Sequence, residues 1–96
     1  DYPGVSPIHC FLKDTKRARY TNVTDEDALN AYKLVTKFEK LNPSLEPSHA
    51  FAEAIKIAPK LSKDNILIVN SCGDAKKDRD ILKKRLGIKI WLTQLA

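Results

Sequence analysis

Asn70-Ser71-Cys72-Gly73-Asp74 is the stretch of this chain best suited to meet a ligand. It presents an amide, a hydroxyl and a thiol on consecutive residues, directly after the apolar run Ile66-Leu67-Ile68-Val69. That run does not alternate, and Ile66, Ile68 and Val69 are β-branched. It therefore reads as a short strand buried on both faces. The charged run from Lys76 to Arg85 follows, with Ile81, Leu82 and Leu86 at helical spacing. The unit is strand, tight turn, helix. In open α/β sheets ligands bind at the carboxyl ends of strands, where such turns lie. The same residues also suit a plain strand-to-helix connection. Cys72 reads either as a reactive thiol at the start of the following helix or as a small buried hydrophobe.

Other chemistry-bearing residues are sparse. Glu46 precedes a proline and a helix start, and reads either as a positioned carboxylate or as an exposed loop acid. His49 follows at that helix start, where a histidine commonly serves as a structural hydrogen-bonder. His9 and Cys10 are adjacent and His49 stands apart, so no zinc-ligand spacing exists. Gly4, Gly73 and Gly87 are the chain's three glycines, which excludes a Gly-rich phosphate loop. Nothing in the spacing supports a Ser-His-Asp arrangement.

Ninety-six residues make one small domain or a piece of a larger one. The chain has no Met and begins with Asp1, so a processed product, a trimmed chain or a fragment is expected. No apolar run is long enough to cross a bilayer as a helix, and no signal-peptide pattern opens the chain. The two cysteines, Cys10 and Cys72, allow one disulfide, but a cysteine-poor α/β chain is expected to be cytoplasmic with free thiols. The net charge of +5 is concentrated late: residues 1–48 hold seven acids and seven bases, and residues 49–96 five acids and ten bases. A basic helix can bind nucleic acid. Here Asp74, Asp78 and Asp80 lie toward the start of the helix and Lys83, Lys84 and Arg85 at its end, which is the order the helix dipole favours. No nucleic-acid partner is expected.

The elements that must position these groups follow in order. Asp1 to Val5 is a loop. Ser6-Pro7 caps and opens a short helix through Ile8, Phe11 and Leu12, ending near Asp14. Arg19 to Val23 is a short strand candidate. Thr24 caps the clearest helix, with Asp25, Glu26 and Asp27 in its first turn. Ala28, Ala31, Tyr32, Val35 and Phe38 mark its apolar face, Leu34 and Leu41 lie beside it, and Asn42-Pro43 stops it. Pro43 to Pro47 is an irregular connection containing Glu46. Ser48 then caps a helix with Phe51, Ala54, Ile55 and Ala58 inward and Pro59 at its end. Gly87 stops the last helix, and Ile88 to Ala96 receives no assignment. Helices dominate, with about two short strands. Such alternation favours α/β with a parallel sheet. Two strands are too few for a covered sheet, so the expected fold is part of a larger three-layer domain.

Four segments carry a family resemblance. Asp1-Tyr2-Pro3-Gly4-Val5-Ser6-Pro7 resembles the Asp-Tyr-Pro-Gly-Val-Gly-Pro segment of the tryptophan synthase beta subunit family. Thr24-Asp25-Glu26-Asp27-Ala28-Leu29 resembles its Thr-Asp-x-Glu-Ala-Leu helix start. Pro43-Ser44-Leu45-Glu46-Pro47-Ser48-His49-Ala50 resembles its Pro-Ala-Leu-Glu-Ser-Ser-His-Ala. Val69-Asn70-Ser71-Cys72-Gly73 resembles its Val-Asn-x-Ser-Gly. All four fall in family order at near-family spacing, and the likeness extends to about Leu86.

The resemblance implies a single piece, residues 1–96, from the C-terminal part of the cofactor-binding domain of a fold-type II pyridoxal-phosphate lyase. That family makes L-tryptophan from L-serine and indole. By the resemblance, Asp1 matches an aspartate that helps close the active site. The backbone carbonyls of Tyr2 and Gly4 match positions that coordinate a monovalent cation. Glu46 matches a glutamate near the cofactor ring. Cys72 falls where the family has a serine bonded to the pyridine nitrogen; a register one residue earlier puts Ser71 there, and Gly73 follows in the same cofactor-binding turn. The implied partners are the remainder of the beta chain and a tryptophan synthase alpha subunit. The family's Schiff-base lysine, phosphate loop and acid-base glutamate lie upstream of the matched region, so the piece alone is expected to be non-catalytic. The chain departs from the family at Cys72 for serine, Ser6 for glycine and Pro47 for serine, and at Gly73-Asp74-Ala75-Lys76-Lys77-Asp78 for Gly-Arg-Gly-Asp-Lys-Asp. A thiol is a weaker hydrogen-bond donor than a hydroxyl, and Ser6 removes a backbone freedom. The rival readings are a non-catalytic α/β interaction domain and a basic nucleic-acid-binding piece.

Overall fold

The computed structural model describes residues 4–87. Helix α1 runs over Pro7–Asp14, α2 over Asp25–Glu39, α3 over Leu45–Ile57 and α4 over Arg79–Leu86, with short 3-10 turns at Ala58–Lys60 and Ala75–Asp78. The expected dominance of helices holds. The expected strands do not form. Among the described residues β-pairing is limited to one isolated antiparallel bridge between Pro43 and Asp74. Arg19 to Val23 and Ile66 to Val69 carry no ladder, and Ile66 and Ile68 are 88% and 86% exposed. A strand exists by exchanging N–H and C=O bonds with a neighbour, and nothing in the described chain supplies that neighbour to Ile66–Val69.

Helix starts follow their caps. Ser6 Oγ accepts from the Ile8 N–H, with Pro7 at the first helical position. Thr24 Oγ1 accepts from the Asp27 N–H at 3.1 Å, and the acids Asp25, Glu26 and Asp27 fill the turn where the dipole favours them. Helix α2 ends at Lys40, which takes a left-handed conformation, slightly before Asn42-Pro43. Gly87 takes the same conformation after α4, as its placement in the sequence predicts. Lys83, Lys84 and Arg85 occupy the last turn of α4, where the dipole favours bases.

Helix α3 departs most from expectation. It starts four residues early, at Leu45 after Ser44, so Glu46 lies in a helical first turn rather than in a loop. Pro47 does not prevent this, because N–H groups in the first turn have no intrahelical acceptor to lose. Pro47 and Ser48 are buried, and Ser48 Oγ donates to the Ser44 carbonyl at 2.7 Å. Ser48 is therefore an interior residue, not the cap.

The core is small. Helices α2 and α3 pack together, and Leu29 and Tyr32 of α2 meet Ala75 and Leu82, with Leu45 and Leu86 partly buried against them. Burial along α2 stops after Val35, and Phe38, expected on the inner face, is exposed. Helix α1 buries none of its residues. His9 Nδ1 lies 2.8 Å from the Tyr20 hydroxyl, tying α1 to the segment that follows it.

Candidate functional site

The turn from Asn70 to Asp78 closes onto the N-terminal end of α3. Ser44, the N-cap residue of α3, makes no side-chain cap bond to its own helix. Its hydroxyl donates instead to the Cys72 carbonyl at 3.1 Å. The free Leu45 N–H is taken by a distant group, Asp78 Oδ2, at 2.8 Å. A carboxylate at that position satisfies an otherwise unpaired donor and opposes the positive end of the helix dipole.

Gly73 makes the close approach feasible. Its φ is +76°, and a Cβ there would sit 3.1 Å from Ser44 Oγ. Glycine reaches this backbone region without steric cost. The chain then turns directly into the Ala75–Asp78 helical turn, where Asp74 Oδ1 accepts from the Lys76 N–H at 2.8 Å. The Ala75 N–H donates to the Asn42 carbonyl at 3.1 Å, and the Tyr32 hydroxyl donates to Asn42 Oδ1 at 2.7 Å. Burial pushes the Tyr32 phenol above its usual range, and the nearby Asp78 charge adds to this. The turn is thus fastened to both α2 and α3.

Glu46 projects from the first turn of α3 and pairs with the Lys77 ammonium. The hydrogen bond from Lys77, aided by its charge, holds the Glu46 carboxyl below the usual glutamate range. The same bond raises the Lys77 ammonium. Both side chains are half exposed, so this pair orients the carboxylate more than it stabilises the fold. His49 lies one helical turn on. Its Nδ1 is 2.8 Å from the Leu45 carbonyl, which can only accept, so Nδ1 carries the proton. Its Nε2 stands 3.4 Å from Asp25 Oδ1. His49 is a structural hydrogen-bonder, as its position predicts. Glu46 and His49 line a cleft of about 210 Å³ with Asp25, Asp78 and Arg85. On another side of α3, Leu67, Ile68, Val69 and Asn70 line an open groove of about 590 Å³.

The structure therefore brings Glu46 and the Ser71-Cys72-Gly73 turn to one end of α3. Ser71 and Cys72 are exposed among the described residues. Cys10 and Cys72 are both free thiols, as expected. Gly4 is exposed, and Asp1 and Tyr2 lie outside the described residues, as does Ile88 to Ala96. No group of His, Cys, Asp and Glu suited to a metal occurs among the described residues. Nor is any described helix long and apolar enough to cross a membrane. Sequence reasoning missed Ser44, Lys77 and Asp78. The available signal was Ser44 before a proline-bearing first turn, a legitimate helix start.

An apolar run, a glycine turn and a helix, laid against a second helix, suit a helix-rich piece of an α/β domain. No protein-family model matches the chain. Curated proteins do. The chain is 49% identical over 87 residues to the tryptophan synthase beta chain of Cereibacter sphaeroides, covering 91% of this chain and 21% of that protein. It is 55% identical over 78 residues to that of Fusobacterium nucleatum, covering 81% and 20%. Against the tryptophan synthase beta chain of a Ruegeria species it is 47% identical over 94 residues, covering 98% and 22%. The chain belongs to the tryptophan synthase beta chain family, and it spans about a fifth of the length of the curated relatives it matches.

Proposed function

We propose that this chain is the C-terminal segment of a tryptophan synthase beta chain and forms one wall of its pyridoxal-phosphate site. The observation that carries the reading is the joining of Glu46 and the Ser71-Cys72-Gly73 turn at one end of α3, through the Ser44–Cys72 and Glu46–Lys77 bonds. The donor set suits the cofactor. Ser71 and Cys72 offer exposed polar groups for a ring nitrogen, and Glu46 offers an ionised carboxylate at the same end of α3. Bound pyridoxal phosphate supplies the electron sink for joining indole to the β-carbon of serine with release of water.

Each residue then has a role. Cys72, or Ser71 in the alternative register, holds the ring nitrogen by a hydrogen bond, and a thiol does so more weakly than the family's hydroxyl. Gly73 lets the backbone pass close enough to set that group. Glu46 sets the local charge near the ring. Asp1 closes the site over substrate, and the carbonyls of Tyr2 and Gly4 hold a monovalent cation. The exposed face of Ile66 and Ile68 packs against the sheet of the remaining beta chain, which also supplies the Schiff-base lysine and the phosphate loop. A tryptophan synthase alpha subunit is the further partner, and the cytoplasm the compartment.

The test is direct. The full chain carrying this segment, supplied with pyridoxal phosphate, L-serine and indole, is expected to form L-tryptophan, and the 96-residue segment alone to form none. A cofactor-loaded full chain that makes no tryptophan would overturn the assignment.

A further inference from the structure

Two consecutive residues of the glycine turn grip α3 at consecutive positions. The Lys77 ammonium bonds the Glu46 carboxylate, and the Asp78 carboxylate accepts from the Leu45 N–H at 2.8 Å. The Lys77 stem also passes over Gly73, with Cε 3.7 Å from where a Cβ would stand. Helix start and turn are therefore locked in both distance and register. We propose that Lys77 and Asp78 form a two-point clasp in which Lys77 is a positioning residue for Glu46, aiming its carboxylate at the same cofactor face as the Ser71-Cys72 turn. This rests on the cofactor-site reading above and extends it to a residue outside that site.

The chemistry of the clasp is local. A glutamate in the first turn of a helix can swing among several rotamers. An ammonium at its tip selects one of them and keeps the carboxyl ionised. The charged groups around Glu46 are Lys77 and Asp78 on the turn, His49 on α3, Asp25 at the start of α2 and Arg85 on α4. Of these, Lys77 is the partner that bonds it. The folded-state pKa of Glu46 is lowered, so the ion pair is intact above the usual glutamate value of 4.5 and is lost as pH falls through the lowered value. On the alkaline side Lys77 is raised, so the pair persists past the usual lysine value of 10.5.

The experiment uses the full chain, with selectively carbon-13-labelled glutamate followed by NMR in the cofactor-free protein. In Lys77→Met, the Glu46 titration is expected to move up toward that of an unpaired glutamate. Lys77→Arg is expected to move it back. Pyridoxal-phosphate affinity should fall about two- to five-fold in Lys77→Met, the scale of an exposed ion pair. Lys77→Arg should recover that affinity, and Glu46→Gln should match Lys77→Met in it. A Glu46 titration or an affinity unmoved by Lys77→Met would overturn the proposal, as would failure of Lys77→Arg to restore them. If the titration responds but the wild-type chain binds no pyridoxal phosphate, the cofactor-site reading falls and the clasp remains.

Discussion

Leu82→Ala is expected to remove most of the stability that this segment can hold. Leu82 is fully buried and meets Leu29, Tyr32 and Ala75. Truncating a buried leucine costs about 2–5 kcal/mol, from lost transfer energy and the cavity left behind. The core around it is small: among the described residues the buried apolar side chains larger than alanine are Leu29, Tyr32, Val35 and Leu82, with Pro43 and Pro47. Cores of small domains supply on the order of 3–5 kcal/mol net. A loss of the predicted size is comparable with the whole. Urea unfolding followed by helix circular dichroism should show a transition shifted to much lower urea, or no folded baseline. A variant melting with the wild type would mean that α4 does not pack in solution as described.

Gly73→Val is expected to open the turn. The backbone at Gly73 has φ +76°, a region where a β-branched residue is a true outlier. The new Cβ would lie 3.1 Å from Ser44 Oγ and 3.6 Å from Ser44 Cβ. Ser44 is fully buried and its hydroxyl is committed to the Cys72 carbonyl, so it has little room to yield. Strain of about 1–3 kcal/mol and a lost hydrogen bond of about 1 kcal/mol together predict a destabilisation of roughly 2–4 kcal/mol. Gly73→Ala removes the branching and should cost less. Both variants are to be compared by denaturant unfolding. Equal stability of wild type and Gly73→Val would mean that the turn does not approach Ser44 closely.

Much of the positioning machinery was legible in the sequence. Thr24 with three acids behind it, Ser6-Pro7 and Gly87 each announce a helix end through local hydrogen bonding, and each is where its chemistry puts it. The start of α3 is ambiguous in the sequence because Ser48 is as good a cap by type as Ser44, and Pro47 looks like a breaker until it is placed in the first turn. The capping group that decides the matter is Asp78, far along the chain and invisible to any local pattern. Ile66-Leu67-Ile68-Val69 has the composition of an interior strand, but pairing is a property of two chain segments. Among the described residues no segment pairs with it, and it stays exposed. Glu46 and Ser71-Cys72-Gly73 were legible as candidate site residues one by one. Their meeting was not, because Lys77 and Ser44, which join them, carry no motif of their own.

The most direct measurement of the central claim is amide hydrogen exchange on the full chain, with and without pyridoxal phosphate. If this segment forms one wall of the cofactor site, loading should slow exchange at the start of α3 around Glu46 and at Ser71, Cys72 and Gly73. Exchange in α1, which lies apart from the small core, should be unaltered. Slowed exchange elsewhere in the full chain, with no change at either Glu46 or the Ser71-Cys72-Gly73 turn, would contradict the account.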